Sequence, residues 1–235
     1  MRGILITGTD TGVGKTIVGC GLAAALTAQG KTVGVLKPAE TGCVLRDGVL
    51  YPEDAARLAA YARVSLPLDQ LCPYRFAPPV APSVAAELAG MTIEPRRIIA
   101  VFEQIARQHD FIIVEGAGGL LVPLVGRYTF ADLTHDLRLP LLVVVGSKLG
   151  ALNHALLTLS CAQVRSLPVT GYILNHPTAS SDLATQTNAR TLAYLADAPC
   201  LGVLPFLSLS GDVERDRTLL CDFFSAAVDL TGVLR

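Results

Sequence analysis

Between an apolar run, Gly3-Ile4-Leu5-Ile6-Thr7, and an Ala/Leu/Gly-rich segment from Thr16 to Gln29 lies the stretch Gly8-Thr9-Asp10-Thr11-Gly12-Val13-Gly14-Lys15-Thr16. Strand, glycine-rich turn and helix N-terminus in that order constrain the fold more than any other feature. The backbone N–H groups of such a turn converge on an anion, and the helix dipole adds roughly half a positive charge there. Lys15 is placed to reach the outer phosphates and Thr16 to offer its hydroxyl to Mg²⁺, with Gly12, Val13, Gly14 and Ile17 completing the cradle. In the usual phosphate loop four residues separate the first glycine from Gly-Lys-Thr. Here Thr9 holds that first position and the nearest glycine is Gly8, so the loop is one residue longer. Asp10 stands where partitioning and cell-division ATPases carry an early-loop lysine.

Short apolar runs recur along the rest of the chain. Ile4–Thr7, Thr32–Leu36, Phe111–Val114, Leu141–Val145, Val169–Leu174 and Leu201–Leu204 read as strands. Runs without polar alternation are the mark of parallel strands buried on both faces. Lys15–Gln29, Glu53–Ala62, Ser83–Ala89, Pro95–His109, Thr129–Leu137, Gly150–Val164 and Asp182–Ala196 read as helices between them. The alternation predicts an α/β protein: a doubly wound, mostly parallel, P-loop NTPase-like sheet with helices on both faces. At 235 residues a single domain spanning 1–235 is expected. The Pro-rich stretch Pro73–Pro82 reads as a stiff wall, and Pro38–Tyr51, rich in Gly and turn formers, as a loop that is mobile without ligand.

Composition narrows the function classes. A net charge of −1 gives no footprint for nucleic acid or an anionic membrane, and the absence of Trp argues against a base-stacking platform. No basic-then-apolar leader opens the chain, and no apolar run reaches the roughly 18 residues of a membrane span. The six cysteines (Cys20, Cys43, Cys72, Cys161, Cys200, Cys221) lack a C-x-x-C pair and read as small reduced residues of a core. A soluble cytoplasmic protein is expected.

Ligands of such sheets bind beyond the carboxyl ends of the strands, so polar residues there carry weight. Lys37 follows Val33-Gly34-Val35-Leu36, where a solvated surface lysine is the plain alternative. Glu115 ends Phe111-Ile112-Ile113-Val114, the position of an acid that holds Mg²⁺ directly or through water; a turn or capping role is its alternative. Gly116 and Gly118 behind it let backbone approach a ligand closely. Asp54 opens a predicted helix and reads on its own as a capping acid favoured by the dipole. Lys148 sits past another strand end with a surface or pairing role equally open. Asn175 offers both a donor and an acceptor, the pair that reads adenine, or else simply forms the turn before His176-Pro177. His109, His135, His154 and His176 show no metal-ligand spacing, and no nucleophilic triad emerges.

Taken together, the phosphate loop, Lys37-Pro38-Ala39-Glu40-Thr41-Gly42, Pro73-Tyr74-Arg75-Phe76, Val114-Glu115-Gly116-Ala117-Gly118-Gly119 and Lys148-Leu149-Gly150-Ala151-Leu152-Asn153-His154 resemble the dethiobiotin synthetases of the biotin pathway, from Gly8 to about Leu207. The resemblance implies an ATP- and Mg²⁺-dependent ligase that carboxylates 7,8-diaminononanoate with CO₂ and closes the urea ring, working as a homodimer with sites at the subunit junction. It implies Thr16, Asp54 and Glu115 as Mg²⁺ ligands, and Thr11, Lys15, Lys37 and Thr41 around the carbamate and γ-phosphate. Asn175 would meet adenine beside the Gly202–Leu207 segment, Pro205 included. Gly150, Ala151, Leu152 and Asn153 would hold the substrate carboxylate from the partner subunit. Two departures stand out: many family members have Glu where this chain has Gly12, and some have Ser where it has Ala81. A cobyrinate-type amidotransferase is a rival, although such enzymes need a glutaminase domain for which this chain has no room. A nucleotide-switched partitioning ATPase is a second.

Overall fold

The computed structural model describes residues 3–234. Its strands are β1 (Gly3–Gly8), β2 (Val33–Leu36), β3 (Ala39–Thr41), β4 (Val44–Arg46), β5 (Val49–Tyr51), β6 (Tyr74–Phe76), β7 (Phe111–Gly119), β8 (Pro123–Val125), β9 (Tyr128–Thr129), β10 (Leu141–Gly146), β11 (Val169–Asn175) and β12 (Cys200–Leu204). The helices are α1 (Lys15–Ala28), α2 (Glu53–Ala62), α3 (Leu68–Leu71), α4 (Pro82–Leu88), α5 (Pro95–Ala106), α6 (Phe130–Leu137), α7 (Ala151–Val164), α8 (Leu183–Leu195), α9 (Val213–Ala227) and α10 (Leu230–Val233).

All six strands read from the sequence join one sheet in the order β12-β11-β10-β1-β7-β2, and every pairing in it is parallel. Alternate residues of a strand enter opposite cores, which is why these runs lack polar positions. Ile4 and Ile6 of β1 pack in the layer that contains α1 and α9, while Leu5 packs with Phe102 of α5 and Phe130 of α6 on the other face. β1 lies between β10 and β7, so the chain after β1 emerges where the connections diverge to both sides. That crevice is where such sheets bind ligands.

Several expectations need correction. β7 runs past the expected end at Val114, through Glu115 to Gly119, and β11 extends one residue past Leu174 to take in Asn175. Pro38–Tyr51 is not one loop but contains three short strands. Ala39–Thr41 pairs in parallel with Tyr74–Phe76, and β4 and β5 form a hairpin around Asp47-Gly48, both at positive φ (49° and 77°), as a two-residue primed turn requires. Helix α9 was not foreseen. It packs on α1 at Gly21, where a Cβ would lie 2.1 Å from the Phe224 ring. α5 stops at Ala106, and His109 donates from Nδ1 to the Ile105 carbonyl (2.7 Å). Cys20, Cys43 and Cys72 are buried, but Cys161 and Cys221 are half-buried and Cys200 is exposed, so a core reading holds for only part of the set. Among the described residues no helix is long and apolar enough to cross a membrane.

Candidate active site

The extra residue of the phosphate loop prolongs the strand before it: the Thr9 N–H donates to the Val144 carbonyl (3.0 Å), so β1 keeps contact with β10 beyond Gly8. The loop then turns through Gly12 and Gly14, both left-handed (φ 74° and 95°). At Gly14 a side chain is excluded twice over, since a Cβ would also lie 2.2 Å from the Asn175 amide nitrogen. Lys15 begins α1 and folds back over the loop, its ammonium donating to the Asp10 carbonyl (3.2 Å). Burial, foremost, pulls its pKa below the ordinary lysine value, with the charge of Lys37 adding to the effect.

Lys37 and Glu115 come together through strand register. Leu36 of β2 faces Val114 of β7, so Lys37, just past the end of β2, comes beside Glu115, the next residue along β7. The Lys37 ammonium lies 2.7 Å from Glu115 Oε1 and 2.6 Å from Asp54 Oδ2. Thr16 donates its hydroxyl to the same Glu115 oxygen (2.9 Å). Lys37 is only 3% exposed, which excludes the solvated surface reading. Its burial works against the charge, but the carboxylates of Glu115, Asp54 and Glu40 outweigh it and raise the pKa above the usual lysine range. Asp54 shows the converse: burial is outweighed by Lys37, and its carboxyl is held below the ordinary value.

Asp54 does not cap its helix. Its carboxylate is engaged by Lys37, and α2, entered through Pro52, has no local side-chain cap. Glu40 takes that role from β3, its two oxygens accepting the Asp54 and Ala55 N–H groups (3.0 Å each). Burial, foremost, raises the Glu40 pKa, against the pull of Lys37 and these two donors. No local pattern announces this contact, because the donors lie 14 and 15 residues further on. Arg57, one turn beyond Asp54, also faces the cleft and had no assigned role.

Thr11, Gly12, Gly14, Lys15, Thr16 and Ile17 line one cleft of about 600 Å³ together with Lys37, Thr41, Asp54, Glu115 and Gly118. The Pro-rich stretch supplies a wall through Pro79, Val80, Ala81 and Pro82. Gly118 reaches the cleft because β7 bulges: Ile6 to Gly8 of β1 is matched by Glu115 to Gly119. The other predicted residues do not line it. Val13 is buried behind the loop, and Gly116 lies against the Ile6 carbonyl and Phe130. Asn175 is buried with its amide N–H donating to the Val13 carbonyl (2.8 Å), so its donor supports the loop from behind. Pro205 borders a separate groove of about 270 Å³ with His176, Val203 and Phe206 at the ends of β11 and β12. Gly150, Ala151, Leu152 and Asn153 open α7 and do not join the cleft. Lys148, just before them, pairs with Asp10 of the phosphate loop (3.2 Å).

The donor set suits Mg²⁺. Glu115 Oε2 is fully buried and has no hydrogen-bond partner, so the carboxylate keeps an acceptor that the protein itself leaves unmet. Among the described residues no three His, Cys, Asp or Glu side chains converge as a metal cage. Two carboxylates and a hydroxyl are what Mg²⁺ takes when substrate phosphates and water fill the remaining positions. Zinc would call for a closed nitrogen and sulfur set.

Comparison with known proteins adds the following. Residues 2–214 match a family model described as an AAA domain. The chain is 40% identical over 223 residues to the ATP-dependent dethiobiotin synthetase BioD of Thermodesulfovibrio yellowstonii, covering 92% of each chain. It is 42% identical over 228 residues to the enzyme of the same name from Anaeromyxobacter dehalogenans strain 2CP-C, covering 97% of this chain and 99% of that one. Among solved structures it resembles the septum site-determining protein MinD complexed with Mg-ADP from Pyrococcus horikoshii OT3 (TM-score 0.54, 22% identity, 93% of this chain and 85% of that one). A ParA family ATPase from Chlorobium tepidum TLS gives a TM-score of 0.56 at 16% identity over 96% and 92% of the two chains. Likeness at that identity shows the shared P-loop NTPase fold and nothing more.

Proposed function

The chain belongs to the ATP-dependent dethiobiotin synthetase family, an ATP-dependent ligase of biotin biosynthesis, and from that premise we propose that it carboxylates 7,8-diaminononanoate with CO₂ and closes the cyclic urea, releasing ADP and phosphate. The observation that carries this reading is the single cleft in which Lys15, Lys37, Thr16, Asp54 and Glu115 meet.

An amine adds to CO₂ only when neutral, whereas an alkylamine in water has a pKa near that of lysine, roughly 10.4. Lys15, and Lys37 once Mg²⁺ neutralises Asp54 and Glu115, would disfavour a third cation beside them and so promote the neutral amine. The amine nitrogen bonds to the CO₂ carbon, loses a proton and becomes an N-carbamate, whose negative charge the same two ammonium groups stabilise. A carbamate oxygen then attacks the γ-phosphorus of ATP as the bond to ADP breaks, giving a carbamic–phosphoric anhydride. The second amine attacks the anhydride carbon, phosphate leaves, and the ring is closed. No protein nucleophile is needed, so the residues act by position and charge. Lys15 and Thr11 serve the phosphate side, and Lys37 and Thr41 the carbamate side. Gly12, Gly14, Ile17 and Gly118 form the walls around the nucleotide, with Val13, Gly116 and Asn175 supporting them and Pro205 beside the base. Mg²⁺, held by Thr16, Asp54 and Glu115, would neutralise charge on the transferring phosphoryl group. Lys37, paired with both carboxylates in this structure, would then turn its ammonium to the carbamate.

We read the assembly as a cytoplasmic homodimer of one P-loop domain, residues 1–235. α7 supports this: it is largely apolar, yet only Ala151, Ala155 and Ala162 are buried along it. Leu157 and Val164 are exposed on it, and Leu149 just before it is 84% exposed. A second copy would cover this face and bring Gly150–Asn153 to the open end of its neighbour's cleft, where free N–H groups attract the substrate carboxylate.

The nucleotide-switched partitioning ATPase raised by the sequence is the second reading. Phosphate release by the purified protein separates the two. Release that requires both the diamine and bicarbonate supports the synthetase; release that responds instead to DNA or to anionic vesicles overturns it.

A further inference from the structure

We propose that Glu40 is a positioning residue that anchors the first turn of α2 and thereby holds the Asp54 carboxylate where Mg²⁺ is bound. The proposal rests on the role given to Asp54 above.

Position N2 and N3 of a helix carry the N–H groups that a capping side chain normally takes. In α2 these are Asp54 and Ala55, and the residue in the capping position is Pro52, which has no side-chain acceptor. Both donors are met from another strand instead. Glu40 Oε1 accepts from Asp54 and Oε2 from Ala55, at 3.0 Å each, so one carboxylate grips two successive amides. Such a two-point grip fixes both the height of the first turn and its rotation about the helix axis. It acts on the backbone of the residue whose side chain reaches Lys37. Its negative charge also lies at the positive end of α2, which strengthens the bond.

Glu40 is itself held firmly. Its strand is pinned by parallel pairing, with Glu40 opposite Arg75 of β6, and its side chain is buried. The chain that enters α2, in contrast, comes from the exposed hairpin β4–β5. Without Glu40 no acceptor would meet the Asp54 and Ala55 N–H groups, and the first turn would be held only by the Asp54–Lys37 pair, by core packing from Ala55 onward and by the hairpin. The hairpin contact is a surface pair of Arg46 with Glu53, of a kind that contributes little.

The test uses the full-length protein with Glu40→Ala, Glu40→Gln and Asp54→Ala. Mn²⁺ is titrated as a Mg²⁺ surrogate in the presence of ADP and followed by EPR, and backbone amide exchange is measured at Asp54 and Ala55. Glu40→Ala is expected to accelerate exchange at both amides and to weaken Mn²⁺ binding about five- to tenfold. The KM for ATP at saturating Mg²⁺ should stay near wild type. Glu40→Gln keeps one acceptor and its size, is expected to fall between, and decides the question if the alanine variant does not fold. Unchanged protection of Asp54 and Ala55, or unchanged Mn²⁺ affinity in both Glu40 variants while Asp54→Ala weakens it, overturns the proposal. Unchanged Mn²⁺ affinity in Asp54→Ala removes Asp54 from the metal site, a failure of the underlying reading that the exchange data separate from a failure of the anchor.

Discussion

Lys37 and Glu115 meet at 2.7 Å because each is the residue that follows a registered pair, Leu36 and Val114, on adjacent parallel strands. The backbone therefore brings an ammonium and a carboxylate together where β2 ends and β7 runs on, before any side chain chooses a rotamer. A buried pair of this kind is weak evidence of stability, since desolvation offsets most of the attraction. Its placement at the mouth of the phosphate loop points to chemistry instead.

From that pairing we predict that Lys37→Ala loses turnover while ATP affinity stays within about threefold of wild type. The same variant strands a buried carboxylate, so unfolding free energy should fall by about 3–5 kcal/mol. Single-turnover phosphate release and urea unfolding measure the two effects. Near-normal kcat would show that Lys37 is misassigned.

Glu115→Gln keeps the shape of the side chain but removes the charge that faces Thr16 and Lys37. We expect a higher Mg²⁺ concentration for half-maximal activity, with the diamine KM little altered. An activation curve superimposable on wild type would take Glu115 out of the metal shell.

The pH dependence of stability follows from the same cluster. Asp54, held below its ordinary 3.8, contributes stability that is present above that value and lost as pH falls through the lower folded one. Lys37, raised above its ordinary 10.5, contributes stability that is lost only at more alkaline pH still. Melting temperatures between pH 6 and 2.5 should thus drop more steeply below about pH 4 for wild type than for Asp54→Asn. The difference will be modest because Asp54 is partly exposed to solvent. Parallel acid limbs would count against a Lys37–Asp54 contribution.

What could be read from the residues depended on how locally each feature is encoded. The sheet strands were legible because burial on both faces forces unbroken apolar runs, and Lys37 and Glu115 were legible because a charge ends such a run. Glu40 was not, since its partners lie on a helix 14 and 15 residues away. The pairing of Ala39–Thr41 with Tyr74–Phe76 spans three residues on each side, too few to show a period. α9 shows no clear apolar period because its buried stripe is narrow, with Leu220 and Phe224 set among charged residues, and because Arg217 fills a core position. The Asp47-Gly48 turn carried a readable hairpin signal that the surrounding turn formers obscured.

Arg217 shows what α9 contributes. Its Nε donates to the Tyr61 carbonyl near the end of α2 (3.0 Å), and its Nη2 to the Thr27 hydroxyl near the end of α1 (2.5 Å). One buried guanidinium thus ties the negative ends of two helices to a third. Arg217→Ala should destabilise by about 2–3 kcal/mol, and Arg217→Lys should restore little because a point charge cannot make both bonds. Urea unfolding with constant m-value tests this; a change below about 0.5 kcal/mol would show the fork to be energetically idle.

Asn175 presents a choice between reading the base and supporting the loop, and the structure weights the second. Its amide donor is committed to the Val13 carbonyl, and its bulk fits against Gly14 only because that residue lacks a Cβ. A residue that braces the loop acts on the phosphates, which every nucleotide shares. A residue that reads adenine acts on a ring edge that GTP lacks. Asn175→Ala should therefore weaken ATP and GTP together, by about tenfold, as a lost buried hydrogen bond to a loop carbonyl would. Measured ATP-over-GTP selectivity decides between the two roles. Preserved selectivity with weaker binding identifies a brace, whereas selectivity that collapses while GTP binding holds would make Asn175 the base reader after all.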